Sequence, residues 1–213
     1  YDLEAEDANY NVGIVPDTGT IGTFAVTNST AATVASGSLT VTLSNTSPTG
    51  NAALNATNVL LAKYDLKAVG EGIKVSSIGV VVSDEGDAAG PADGTSNWTN
   101  IRNVRVLYNG SQVGTTQTSL ADDTLATVTV NFTVDAGTTG TLEIRSDIAS
   151  ASGAADAIIA TDTVRAYLDT GSLNGQRVNS LGTINVPSAD TAGSNLTVSA
   201  ATLTPVVNPS VGN

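Results

Sequence analysis

The titratable chemistry of this chain is almost entirely carboxylate, with 20 Asp and Glu against 8 Lys and Arg, and no His or Cys. Without His the usual general base and the commonest zinc ligand are missing. Without Cys there are no disulfides, thiolate metal sites or thiol nucleophiles. A Ser or Thr nucleophile would need Lys or a carboxylate to activate it. Two carboxylates across a cleft serve glycoside hydrolysis, and the pairs on offer are Asp122-Asp123 and Glu143 with Asp147. A single Trp leaves little for a sugar ring to stack on. The expectation is that the chain is not an enzyme.

Carboxylates also bind hard cations. The segment from Ser83 to Gly94 holds Asp84, Glu85, Asp87 and Asp93 among Gly and Ala. Calcium takes six to eight oxygen ligands, and a loop of this kind can supply several. These four are the candidate calcium ligands, although their spacing is not that of an EF-hand, and a plainly solvated loop is the alternative. The amino-terminal Asp2, Glu4, Glu6 and Asp7 form a second acidic group. Seven Asn-x-Ser/Thr sequons, at Asn28, Asn45, Asn55, Asn97, Asn109, Asn131 and Asn195, are candidate glycosylation sites. Lys63, Lys67 and Lys74 are the residues to consider for an isopeptide cross-link to Asn or Asp, but the alternation described below turns Lys63 and Lys67 outward. Trp98 is the one large aromatic available to a binding face or to cap the end of a sandwich.

Composition narrows the class further. The net charge is −12, and the basic residues are scattered singly, which disfavours nucleic acid as a partner. Apolar residues make up 40% of the chain, with only two Phe, so a core is aliphatic. Ser, Thr and Gly are abundant and long helix-forming blocks are missing, a mixture that suits short strands and turns. The chain has no long apolar run and does not begin with Met. Any targeting or anchoring segment is expected to lie outside it, with no membrane span inside.

The elements that must carry these residues show as period-two alternation, the mark of a half-buried strand. Val128, Val130, Phe132 and Val134 alternate with Thr129, Asn131 and Thr133. Leu60, Ala62, Tyr64 and Leu66 share one face, and Lys63, Asp65 and Lys67 the other. Leu39, Val41 and Leu43 form a third set, Val104, Val106 and Tyr108 a fourth, Leu142 and Ile144 a fifth. Ile73 and Val75 have the opposite parity to Ile78, Val80 and Val82, which calls for a bulge near Ser76-Ser77 or a corner between two short strands. Asn109-Gly110 signals a tight hairpin. Residues 84–100 and 149–157 read as loops. The sum is an all-β protein, an antiparallel Ig-like or jelly-roll sandwich of about nine or ten strands.

A repeat organises the chain. Ser36-Gly37-Ser38-Leu39-Thr40-Val41 is echoed by Gly193-Ser194-Asn195-Leu196-Thr197-Val198, and Thr20-Ile21-Gly22-Thr23-Phe24-Ala25-Val26 by Ser180-Leu181-Gly182-Thr183-Ile184-Asn185-Val186, in the same order. This predicts three parts: 1–36 as the tail of a preceding repeat or an exchanged strand, 37–170 as the sandwich, and 171–213 as a linker with the first strand of a following repeat or an exchanged strand. Residues 20–27 and 195–203 are the segments to pair between subunits.

The segments 36–41, Leu60–Leu66, Ile73–Ile78 and Asn103–Gly110 resemble the tandem β-sandwich repeats of large bacterial S-layer-like surface proteins. That resemblance implies a surface-exposed, Ig-like or jelly-roll module with a structural role. With the repeat and the acidic loop, the expectation is a secreted subunit that associates with copies of itself into a layer, stalk or filament, with strand exchange and calcium as the candidate means. An adhesin or carbohydrate-binding module, with a glycan or host surface as partner, is the alternative.

Overall fold

A computed structural model describes residues 36–83, 100–150 and 157–200, together with two short strands nearer the amino terminus. The chain divides into two compact units, Tyr1–Val34 and Ala35–Asn213. In the first, β1 (Ala5–Glu6) pairs antiparallel with β2 (Gly13–Ile14).

The second unit is a β-sandwich, with no helix among the described residues. Its strands are β3 (Ser38–Leu43), β4 (Gly50–Ala53), β5 (Val59–Val69), β6 (Ile73–Ser83), β7 (Asn100–Tyr108), β8 (Ser111–Ala121), β9 (Ala126–Val134) and β10 (Thr139–Ser150), then β11 (Thr163–Asp169), β12 (Gly175–Arg177), β13 (Thr183–Ile184), β14 (Thr191–Ala192) and β15 (Leu196–Ser199). One sheet has the order β3-β5-β10-β7-β8 and is antiparallel throughout. The other is built on β6, which pairs β9 on one side and β12 and β11 on the other. It extends through β15 to β4 by the one parallel pairing among the described strands.

The alternation read from the sequence matches most of the burial pattern of these strands; it breaks at the start of β5, where Leu61 is fully buried and Leu60 only half-buried. In β9, Val128, Val130, Phe132 and Val134 are buried and the residues between them are exposed. Ala62, Tyr64 and Leu66 face inward against Leu142 and Ile144 of β10 and Val106 of β7. Each such aliphatic side chain, fully buried, stabilises the fold by about 1.5–3 kcal/mol. Tyr64 is buried too, and its hydroxyl donates to the Ala166 carbonyl of the opposite sheet at 3.1 Å. Nearer one end, the rings of Tyr108 and Phe132 stack across the sheets, centroids 4.1 Å apart. Leu43 is the exception in its set: it lies on edge strand β3 and is 39% exposed.

Two irregularities shape the sandwich. The pairing of β7 with β8 slips between Val104 and Val106. Opposite the slip, Gly114 has a φ of 74° and lies so close to the Thr129 carbonyl and Val128 that a β-carbon would collide with them. Glycine there lets β8 bend across to the other sheet. In β6 the register against β9 shifts between Val75 and Ser77. Val130 and Asn131 together stand opposite Ser76, so the extra residue of this bulge belongs to β9. Ser76 and Ser77 both leave the buried face, and Ile73, Val75, Ile78, Val80 and Val82 all reach the core.

Asn174 closes the gap this leaves on the other edge of β6. Ser76 donates through N–H and Oγ to the Asn174 carbonyl, at 2.9 and 3.0 Å. Its amide Nδ2 donates to the carbonyls of Ser77 and Val186 at 2.8 and 2.6 Å, and its Oδ1 accepts the Val186 N–H at 2.8 Å. One buried side chain thus supplies the bonds missing where β6 changes partner from β12 to β11.

Of residues 171–213, expected to be a linker and the first strand of a following repeat or an exchanged strand, the described ones, 171–200, contribute strands to this sandwich. β12 to β15 lie within the second sheet, and Leu196 and Val198 are buried in the core. The reason is pairing: β15 sits between β11 and β4, and β4 has no other strand partner among the described residues. The strand total exceeds the nine or ten expected because β4, β12, β13 and β14 are two to four residues long, too short for a periodic signal.

Candidate functional site

Asp84, Glu85, Asp87 and Asp93 lie outside the described residues, as do Asp2, Glu4, Asp7, Asn28, Asn97, Trp98, residues 20–27 and the side chain of Glu6. Among the described residues no group of three or more Asp, Glu, His or Cys converges to hold a metal. Asn45, Asn55, Asn109, Asn131 and Asn195 are all exposed. Asn131 projects from the wet face of β9. Asn109 opens the β7–β8 turn with a φ of 48°, and its Oδ1 accepts the Thr141 N–H at 2.8 Å.

Glu143 and Asp147 do not face each other across a cleft; they lie on the outer face of β10 and are engaged by their neighbours. Glu143 accepts from Arg145 at 2.9 Å, with Lys63 Nζ at 3.9 Å. Asp147 accepts the Asn58 N–H at 2.8 Å, Asn103 Nδ2 at 2.6 Å and Arg105 at 3.1 Å. Burial alone would raise its pKa, but these donors hold its carboxyl below the usual range. The result is a cross-strand lattice that ties β5, β10 and β7 together. Lys67 and Lys74 are exposed.

Asp122 and Asp123 form the turn between β8 and β9. Asp123 has a φ of 53° and donates its N–H to the Val82 carbonyl at 3.1 Å. Burial, followed by the charges of Asp123, Asp169 and Asp190, pushes the Tyr167 pKa upward. Asp169 is likewise raised, by burial and then by Asp190. The group is mutually repulsive and resembles neither a glycosidase pair nor a nucleophile with its base.

The functionally informative geometry is at the two ends of the sandwich. β6 runs from one end, where Ile73 pairs with Arg177, to the other, where Ser83 pairs with Arg165. The chain arrives at the first end. There Arg177 Nε donates to the Gly37 carbonyl at 2.6 Å. Glu71, in the adjoining turn, accepts Ser180 Oγ at 2.7 Å, the N–H groups of Ser180 and Asn179 at 2.9 and 2.8 Å, and the Gly37 N–H. The last described strand ends at the opposite end: β15 runs past Thr163 to Ser199, whose carbonyl accepts the Leu54 N–H at 2.8 Å. These are the amino pole and the carboxy pole.

Glu71 and Arg177 form a latch on the arriving strand. The hydroxyl of Ser180 first, then the backbone N–H groups, lower the Glu71 pKa from 4.5 to about 2. A carboxyl whose pKa is depressed on folding contributes stability above its unfolded value and loses it as pH falls through its folded value. The parent chain is therefore expected to weaken from about pH 4.5 downward to about 2. Glu71→Gln should be weaker at neutral pH and fall less steeply in acid. Denaturant midpoints at pH 7 and pH 3 measure this, and parallel losses in the two proteins would remove Glu71 from the latch. Glycines on both sides mark Glu71 as a turn residue, but nothing local marks its carboxylate as the partner of residues more than a hundred positions on.

No family of known proteins matches the chain, nor does any curated protein or solved structure.

Proposed function

We propose that this chain is an extracellular structural protein, a β-sandwich subunit of a surface layer, stalk or filament whose main partner is a copy of itself. The observation that carries this reading is the separation of the poles. The described part of the second unit begins beside Gly37 and ends just past Ser199, at opposite ends of β6. Units joined through their ends in this way follow one another in line instead of folding back. β6 has 11 residues, so each unit advances such a line by about 35–40 Å at a rise near 3.3 Å per residue.

Exchange of β15 is the favoured joint. β15, the last described strand, lies between two others with its alternate side chains in the core, and such a strand is a part that another copy can supply. The matching segments 36–41 and 193–198 support this reading, since one pattern occupies an edge in β3 and an interior slot in β15.

Sedimentation of the purified chain over a concentration series tests the proposal. Growth from monomer to long polymers is expected. A chain that stays monomeric throughout and is retained on immobilised glycan would instead be a binding module.

A further inference from the structure

Tyr167 is 4% exposed, yet it does not belong to the core between the sheets. Val164, Ala166 and Leu168, its alternates on β11, fill that core, so Tyr167 faces out of the sandwich. It pairs with Ala192 of β14 and with Val81 of β6, which is 1% exposed and likewise outside the core. The turn between β8 and β9 comes over the same face. Asp123 donates its N–H to the Val82 carbonyl, and Leu125 reaches back over Gly79. A β-carbon on Gly79 would stand 3.1 Å from both Leu125 Cδ1 and Asp169 Cβ, so glycine gives both their room.

Two buried polar atoms here make no hydrogen bond, the Tyr167 hydroxyl and Asp123 Oδ1. The charges of Asp123, Asp169 and Asp190 all act on that hydroxyl, yet it donates to none of them. Asp190 is held in place by the Thr170 N–H and Oγ1, at 2.7 and 2.5 Å. None of these three carboxylates is in an ion pair; the ion pairs among the described residues are those of Glu143 and Asp147. Arg165, the one cation whose charge reaches Tyr167, directs its Nε to the Gly193 carbonyl at 3.1 Å. A buried hydroxyl and a buried carboxylate oxygen without partners mark a place for a bound water or ion. Water alone leaves three negative charges unopposed, whereas a cation offsets them.

We infer that Asp123, Asp169, Asp190 and Tyr167 hold a partly hydrated calcium ion on the outer face of the second sheet. No three acidic groups among the described residues converge into a closed metal cage, so the ion keeps several waters, and these satisfy the Tyr167 hydroxyl. Calcium accepts six to eight oxygens in irregular arrangements, waters included, whereas magnesium demands a near-octahedral set. The ion ties the β8–β9 turn to the end of β11 and to the segment before β14, three places far apart in sequence. Its ligands are other than Asp84, Glu85, Asp87 and Asp93, and the site stands within one unit whether or not copies associate.

Thermal melts of the full chain in EDTA and in calcium chloride test this, with Asp123→Asn and Tyr167→Phe as variants. Asn suits the left-handed backbone at position 123, and Phe removes a hydroxyl that has no protein partner. In EDTA both variants should therefore melt level with the parent or above it. At a calcium concentration about a hundredfold above its dissociation constant, the parent should gain about 5–10 °C. Asp123→Asn should bind calcium at least tenfold more weakly, and Tyr167→Phe severalfold. Variants that melt below the parent in EDTA but gain as much in calcium would give these groups a purely structural role and overturn the site. Equal calcium binding by the parent and Asp123→Asn would place the ion elsewhere on the chain. A parent with no saturable gain, or with a gain that sodium chloride of equal ionic strength reproduces by screening, would remove the ion altogether.

Discussion

A chain ending at Ala192 is expected to lose the cooperative unfolding transition of the second unit. The truncation removes Leu196 and Val198, buried at 0% and 1% exposure, a loss of about 3–6 kcal/mol in transfer free energy. It also strips β4 of its only strand partner among the described residues and opens the β11 edge at Thr163 and Val164. Domains of this size are typically stable by about 5–15 kcal/mol, so this loss, with β4 left unpaired as well, removes a large share of the stability and all of it at the lower end of that range. A peptide of residues 193–200 should restore the transition when added in trans, with a melting temperature that rises with peptide concentration. If the truncated chain melts like the parent, β15 is dispensable and strand exchange has no basis. If the chain is destabilised but no peptide rescues it, the slot exists only within a continuous chain.

The second large effect is expected at Asn174. Asn174→Ala leaves the carbonyls of Ser77 and Val186 and the N–H of Val186 without their partners in a buried place. At about 1–3 kcal/mol for each of these three unsatisfied groups, the loss should be about 3–9 kcal/mol. Asn174→Asp is sharper because it preserves shape. A carboxylate cannot donate, and it would place its charge against two carbonyl oxygens, so it should be the worse variant at pH 7. In mild acid the protonated form can donate one bond, and part of the deficit should return. Urea unfolding at pH 7 and pH 4 measures both effects. The exposed Asn131→Ala should change stability by less than about 0.5 kcal/mol. Equal, small effects at positions 174 and 131 would mean that β6 changes partner without help from a side chain.

Much of the fold is legible because a half-buried strand writes its burial directly into alternate residues. The parity change between Val75 and Ile78 marks an irregularity that the structure places at Val75–Ser77, and Asn109-Gly110 marks the β7–β8 hairpin, with both residues at positive φ. What stays hidden is what lacks a local pattern. β13 and β14 span two residues each, and two residues have no period. The β15–β4 pairing joins segments far apart in sequence, and alternation does not identify a partner. The bulge shows in the parity of β6, although the surplus residue is carried by β9, whose own alternation stays regular. The ends of the sandwich were least legible. Glu71 in its turn and Arg177 at the end of β12 act on Gly37 with no motif to mark them.

The charge of the chain fits the same picture. A net charge of −12 makes unspecific contact between copies repulsive, so association must come from particular surfaces or from strand pairing. Added salt should therefore speed assembly by screening, leaving the axial geometry unchanged.

Electron microscopy of the purified chain, with and without calcium, tests the central claim most directly. Unbranched filaments, or sheets built from them, are expected, with an axial repeat of about 35–40 Å set by the length of β6. Uniform single particles at every concentration, in both the presence and absence of calcium, would contradict it.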